Sequence, residues 1–526
     1  MAYIGSLSGV PSTNYSYVDY SRISGLASGL DTESIVNSLM QAERIPLDRL
    51  LQEKQIWEWK QEDYRTVNSA LSELRDKLFS AKLQSTYLVK KTTSTNTAVV
   101  TATATATASV GTYYITVSQL ARPATAYSSD QIVTDVNSFD PNKPLASYWT
   151  NLANTTIEFE INGQPFTVDP DTTSLNQVIA EVNADKAAGV TMAYDAQSGK
   201  VFLSTTTTGS TAKIMLEDVS GTFLTDTLKL PTYPTYPTPT GQDAVFNING
   251  FETTSHTNSY TINGTTFQFG GEGSVTITLG YDVDAIVSAI KGVVDAYNST
   301  LKTMTDLYYQ KRNRDYPPLT DEQRKALTQD QIEKWEKLAR SGMLSNDPTL
   351  ADIISTLRSI ASSIVESQPI STIDGKQVTL NSLSAIGINT ENWWGRGQLK
   401  VDESKLRQAV EADPEAVMRL FTNPNATGSL TDTSDPNSGL AVRLYNAVNN
   451  AIKTITAIAG TSSDLADNSS ISQRIRELSD RAADLERRLD EKREQYYRQF
   501  TALEQAIAQM NSQAAYLASM LSGGSR

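Results

Sequence analysis

The chain has 526 residues, 39% hydrophobic and 20% charged, an ordinary globular composition with room for about three or four domains. It has no cysteine and a single histidine, which excludes disulfide scaffolds and Cys-ligated metals and leaves His-based catalytic triads without material. Net charge is −14, and residues 92–283 hold 17 Asp/Glu against 6 Lys/Arg, so the acidic middle repels phosphate and argues against a nucleic-acid partner.

Residues 1–22 are rich in Ser, Tyr and Gly. They lack the basic and apolar regions of a cleaved signal, and read as a leader disordered until bound. The first helix signal is Leu30-Asp31-Thr32-Glu33: Asp31 as N-cap, Glu33 complementing the helix dipole, and Leu30 with Ile35 as a hydrophobic staple. Ile35, Val36, Leu39 and Met40 then form an apolar face. Pro46 is expected to break or kink the helix, because it lacks an N–H and crowds the preceding turn. A heptad follows through Leu50, Trp57, Tyr64, Leu71 and Leu78, with Val67 and Leu74 between, the mark of a coiled-coil stripe.

After Lys91 the period changes to two. Val100–Ala108 alternates strictly and Gly111–Val117 reads as a second strand. Threonine supplies 39 of the 192 residues from 92 to 283, and its β-branched side chain favours strands. Within 157–218, Asn162-Gly163 joins two strands as a hairpin, Leu175–Val182 reads as a short helix, and Gly189–Tyr194 with Lys200–Ser204 reads as another hairpin. The Pro/Tyr stretch 231–239 is expected to be a stiff linker. Strands return at 244–249, 260–263, 266–269 and 274–279, with Asn263-Gly264 as a turn. His256, in this Thr/Ser-rich stretch, reads as a plain surface residue.

From Asp284 to 460 the pattern is helical, with caps at Thr320/Gln323, Thr328/Gln331, Asp347-Pro348 and Asp413-Pro414. A last long stripe begins at a Ser470/Gln473 capping box and runs through Ile471, Ile475, Leu478, Ala482, Leu485 and Leu489. It resumes through Tyr496, Phe500, Leu503, Ile507, Met510, Ala514, Leu517 and Leu521, after a stutter with Lys492 at a core position. From Arg474 to Arg498, 15 of 25 residues are charged; from Gln499 onward only Glu504 and Arg526 are. A helix surfaced with small uncharged residues suits burial among neighbouring helices.

These elements predict a multidomain α+β fold, with terminal helices forming a coiled-coil or helical-bundle leg and inserted β-rich head domains. The expected division is a leader (1–22), a terminal helical assembly domain (23–48 and 499–526) and a helical leg (49–91 and 284–498). It continues with a β-rich head (92–150 and 240–283), an outer head (151–230) and the linker. No nucleophile elbow, phosphate loop, zinc or calcium motif appears, so neither an enzyme nor a cofactor is expected. The pairs Asp282/Asp284 and Asp169/Asp171 stand at turns or helix starts, where capping is the ordinary role. No run approaches the roughly 18 apolar residues of a membrane span, so membrane insertion is not expected.

Ser21-Arg22-Ile23-Ser24-Gly25-Leu26-Ala27-Ser28-Gly29-Leu30-Asp31-Thr32 before a helix resembles the start of the flagellar hook-associated protein 2 family, the filament caps. The same holds for Ala42–Leu47, for Gly342-Met343-Leu344-Ser345-Asn346-Asp347, and for Gly397-Gln398-Leu399-Lys400-Val401-Asp402. The unit at 157–218 is similar to an insertion motif of flagellins and hook-associated proteins. The resemblance implies a ring of this chain's own copies at the filament tip, a pentamer with a hexamer as alternative. It implies flagellin, the flagellar export apparatus and an export chaperone as partners, and an extracellular site reached without a cleaved signal peptide. Candidate assembly residues are Arg22, Ile23, Leu26, Leu30, Ile35, Leu39, Leu503, Ile507, Met510, Leu517 and Leu521. Candidate leg residues are Leu50, Trp57, Tyr64, Leu71, Leu78, Ile475, Leu478, Leu485 and Leu489. A surface adhesin using the acidic heads, or a hook–filament junction protein, are the alternative functions.

Overall fold

A computed structural model describes residues 28–366, 368–391, 396–424, 434–461 and 467–522. The chain opens with one helix, α1 (Thr32–Ala81), capped by the Asp31 carboxylate, which accepts from the Ser34 N–H. Pro46 lies inside α1 and does not end it, contrary to expectation. Its ring is on the exposed side, while Met40 and Leu47 on either side are buried, so packing holds the helix through the missing hydrogen bond.

Three strands follow: β1 (Lys90–Ser94), β2 (Val100–Ala104) and β3 (Gly111–Gln119). The next seven elements are β4 (Pro123–Tyr127), β5 (Ile157–Ile161), β6 (Gln164–Val168), α2 (Leu175–Ala184), β7 (Val190–Asp195), β8 (Lys200–Thr208) and β9 (Leu216–Ser220). The six strands form two antiparallel three-stranded sheets, ordered β4-β8-β7 and β6-β5-β9. Asn162 and Gly163 both take positive φ between β5 and β6, the conformation a two-residue hairpin demands. Ser174 and Gln177 close a capping box on α2.

The core of this outer unit holds Phe159, Phe166, Val178, Leu203 and Phe223. Ala124, Ala126, Ile132 and Leu145 belong to the same core, so the packing boundary lies near residue 122 and not near 150. The reason is register: β4 pairs with β8, which turns the inward face of 123–127 to this side. The Pro/Tyr stretch is also docked here and is no free linker. Tyr233 N–H donates to the Leu216 carbonyl at 2.8 Å, Ile214 N–H donates to the Pro239 carbonyl at 3.1 Å, and Thr232 is buried. Prolines block regular pairing, but the intervening residues keep their own donors and acceptors.

The inner unit is completed by β10 (Ala244–Ile248), β11 (Phe251–Ser255), β12 (Ser259–Ile262), β13 (Thr265–Phe269) and β14 (Gly273–Tyr281). Its sheets run β1-β14-β3-β10-β11 and β12-β13-β2, enclosing Val100, Ile115, Val117, Phe246, Phe267 and Ile277.

The rest of the chain returns to the leg. It comprises α3 (Val283–Tyr309), α4 (Asp321–Ala326), α5 (Gln329–Ala339), α6 (Pro348–Ala361), β15 (Ile370–Ile373), β16 (Lys376–Thr379), β17 (Ile388–Thr390), β18 (Leu399–Val401), α7 (Glu403–Ala412), α8 (Pro414–Thr422), α9 (Leu440–Ala459) and α10 (Ser470–Ser522). The expectation that 284–460 is helical throughout is corrected by two hairpins, β15–β16 and β17–β18. Asp374-Gly375, both at positive φ, is the turn signal that marks the first. The caps at Thr320, Thr328, Asp347 and Asp413 all accept the expected helix N–H groups. At α10 the cap is Ser469 and not Ser470: the Ser469 hydroxyl accepts from Ser472 N–H, and Gln473 donates to the Asn468 carbonyl. The leg core joins Tyr64, Val67, Leu71, Leu74 and Leu78 of α1 to α3, α6, α7, α8, α9 and the start of α10.

Candidate assembly interface

Helices α1 and α10 run antiparallel, and polar contacts fix their register at four heights. Gln61 donates to the Ser472 hydroxyl at 2.6 Å, and Arg474 pairs with Glu53 at 2.8 Å. Lys492 pairs with Glu43 at 2.5 Å, and the Tyr496 hydroxyl donates to the same carboxylate at 3.1 Å. Ser28 donates to Glu504 through both its N–H and its hydroxyl. Lys492 therefore occupies its core position for a reason: its ammonium reaches the partner helix. That hydrogen bond, and then the one from Tyr496, holds the Glu43 carboxyl below its usual range.

The leg stripe divides by depth. Tyr64, Leu71, Leu78 and Leu478 are buried, whereas Leu50, Trp57, Ile475, Leu485 and Leu489 are half-buried. The Tyr64 hydroxyl donates to Asp347 at 2.7 Å, and burial, then this carboxylate, pushes the phenol well above its usual range. Asp347 thereby caps α6 and ties it to α1. Asp63 is buried beside Arg340; desolvation outweighs that cation and raises its carboxyl.

Beyond Glu504 the arrangement changes. Glu504 meets Ser28, four residues before α1 begins, so the last 18 residues of α10 run past the end of their partner helix, about 27 Å of it. Every residue from Ala508 to Met520 is exposed. Leu503, Met510 and Leu517 are 45%, 60% and 58% exposed, and Ile507 is half-buried. Leu30, just ahead of the α1 cap, and Leu39 on α1 are exposed, and Ile35 is half-buried. Arg22, Ile23 and Leu26 lie outside the described residues, as do the 1–22 leader and the side chain of Leu521. Glu43 and Glu504 escaped the hydrophobic pattern; the signal for Glu504 was its isolation as a lone charge in an uncharged tail.

The carboxylate pairs have structural partners. Asp282 caps α3, Asp284 binds Arg407 and Lys91, Asp169 accepts from Asp171 N–H, and Asp171 accepts from Asn154 N–H. Among the described residues, no group of three or more His, Asp and Glu side chains could hold a metal, and no helix is long and apolar enough to cross a membrane. What the described residues offer at this end of the leg is an exposed helical face with an apolar stripe.

The family described as flagellar hook-associated protein 2, C-terminus, matches residues 241–512, and its N-terminus counterpart matches residues 28–124. The flagellar hook-associated protein 2 of Halalkalibacterium halodurans is 32% identical over 539 residues, covering 94% of this chain and 99% of its own. That of Thermotoga maritima is 26% identical over 642 residues, covering 97% of each. A crystal structure of the D1-D2-D3 domains of the flagellar cap protein from Escherichia coli covers 79% of this chain and 99% of its own, at 20% identity and a TM-score of 0.49. Two family matches spanning head and leg, and a relative matched over nearly its whole length, make this chain a member of the flagellar hook-associated protein 2 family.

Proposed function

We propose that this chain caps the distal end of the bacterial flagellar filament and promotes folding and insertion of exported flagellin there. The observation that carries the reading is the end of α10: about 27 Å of uncharged helix with an apolar stripe, running beyond its intrachain partner. Such a surface is stabilised by burial against helices of other subunits. Membership of a flagellar hook-associated family supports the same role.

The cap is a homo-oligomeric ring of five copies, with six as the alternative. Each copy uses different patches on its two neighbours, as a closed head-to-tail ring requires. Arg22, Ile23, Leu26, Leu30, Ile35, Leu39, Leu503, Ile507, Met510, Leu517 and Leu521 form the assembly surface. The α1–α10 leg stands on the filament end and the β units form a lid under which flagellin folds. The chain acts outside the cell, after passing unfolded through the export apparatus with a chaperone. The absence of cysteine leaves no disulfide to obstruct that passage.

Deleting the gene tests the proposal directly. The expected result is flagellin secreted unpolymerised into the medium, with rings visible when the purified protein is imaged by electron microscopy. Filaments of normal length in the deletion strain would refute it.

A further inference from the structure

A cleft of about 770 Å³ opens on the leg where α1, the end of α3 and the turn before α6 meet. Four cations line it: Lys60, Lys311, Arg312 and Arg314. Among the described residues no carboxylate lines it, although the chain as a whole carries −14. Two of the cations are engaged. Lys60 lies 3.7 Å from the buried Asp347, and Arg312 donates to the carbonyls of Ala339 and Ser341. Lys311 and Arg314 are exposed and have no ion pair among the described residues. Burial, and then the charge of Arg314, holds the Arg312 guanidinium below its usual range, so the cleft already works against its own positive charge. Its wall also offers Ile56, Trp57 and Met343, all half-buried.

We propose that this cleft, with Lys311 and Arg314 at its rim, is an intersubunit socket that receives an acidic segment with an apolar anchor from a second copy of this chain. The inference rests on the oligomeric cap reading. Two arguments select the occupant. The volume and the apolar wall suit a polypeptide side chain with its flanking carboxylates and exceed what one inorganic anion fills. Copies of an acidic chain repel one another unless a basic patch on one faces acid on the next, and a head-to-tail ring presents each patch to a different patch.

The test is sedimentation velocity on the full chain, comparing wild type with Lys311→Glu/Arg314→Glu and Lys311→Gln/Arg314→Gln. Lys311 and Arg314 are both exposed, and unchanged thermal melts of the monomer verify folding. The expected result is association weakened about tenfold or more by charge reversal and less by neutralisation, with wild type itself weakening as salt is raised to about 0.5 M. If wild type assembles and the reversed variant assembles equally well, the socket is refuted while the cap reading stands. Wild type that stays monomeric at every concentration would remove both. Unchanged self-association with weakened binding of purified flagellin would overturn the second copy as occupant.

Discussion

Leu517→Ala isolates what the end of α10 contributes. In the single chain this side chain is 58% exposed, so truncation belongs with surface substitutions, within about 0.5 kcal/mol of stability. Fully burying a leucine side chain contributes about 1.5–3 kcal/mol, so covering its exposed 58% on assembly contributes about 1–1.7 kcal/mol per copy. That corresponds to an association constant lower by about five- to twenty-fold per interface. Leu478→Ala, on the same helix but 1% exposed, provides the contrast: it loses a packed side chain and costs about 2–5 kcal/mol of folding stability. The pair is measured by thermal melts followed by circular dichroism at low concentration and by sedimentation equilibrium across concentration. The expected outcome is a lowered melting temperature for Leu478→Ala alone, and weakened assembly with an unchanged monomer melt for Leu517→Ala. A Leu517→Ala protein that melts as early as Leu478→Ala, or that associates as tightly as wild type, would refute the reasoning.

Asp347→Ala removes the α6 cap and leaves the buried Tyr64 hydroxyl without its acceptor, so it is expected to cost about 2–4 kcal/mol, read from the urea midpoint. Pro46→Ala restores an N–H inside α1 and relieves a residue about 3 kcal/mol worse than alanine in a helix, so amide exchange over 42–50 should slow. At the joint between the head units, Asp243 accepts from His256 Nδ1 at 2.8 Å and from the Ser210 N–H and hydroxyl at 2.6 and 2.8 Å. These bonds, the histidine's first, hold its carboxyl down at about 2 against an ordinary 3.8. A carboxyl depressed by folding stabilises above its unfolded value and loses that contribution as pH falls through the folded one. The melting advantage of wild type over Asp243→Asn should therefore be full above about pH 4 and vanish near pH 2; an advantage unchanged across that window would discount the joint.

Much of the local structure was legible because it is local. Asn162-Gly163 dictates a two-residue hairpin whatever surrounds it, and β5 and β6 pair on its two sides as that turn requires. The caps at Thr320, Thr328, Asp347 and Asp413 are satisfied within three residues of the chain. Asp374-Gly375 and Asn249-Gly250 carry the same hairpin signal, the first inside a region dominated by helical spacing. His256 reads as plain from sequence because its partner, Asp243, lies thirteen residues back, just ahead of β10, while His256 itself follows β11.

By itself the sequence determined the helical ends, the acidic threonine-rich strands between them and the loss of charge after Gln499. Each of these is a matter of period, propensity or composition, read within a few turns of chain. Tertiary structure alone decided that Pro46 lies within one unbroken helix, that residues 123–150 pack with the outer head, and that α10 outruns α1 beyond Glu504. Those outcomes depend on which faces meet across hundreds of residues, and a hydrophobic stripe records only that a face will be covered, not by what or how far.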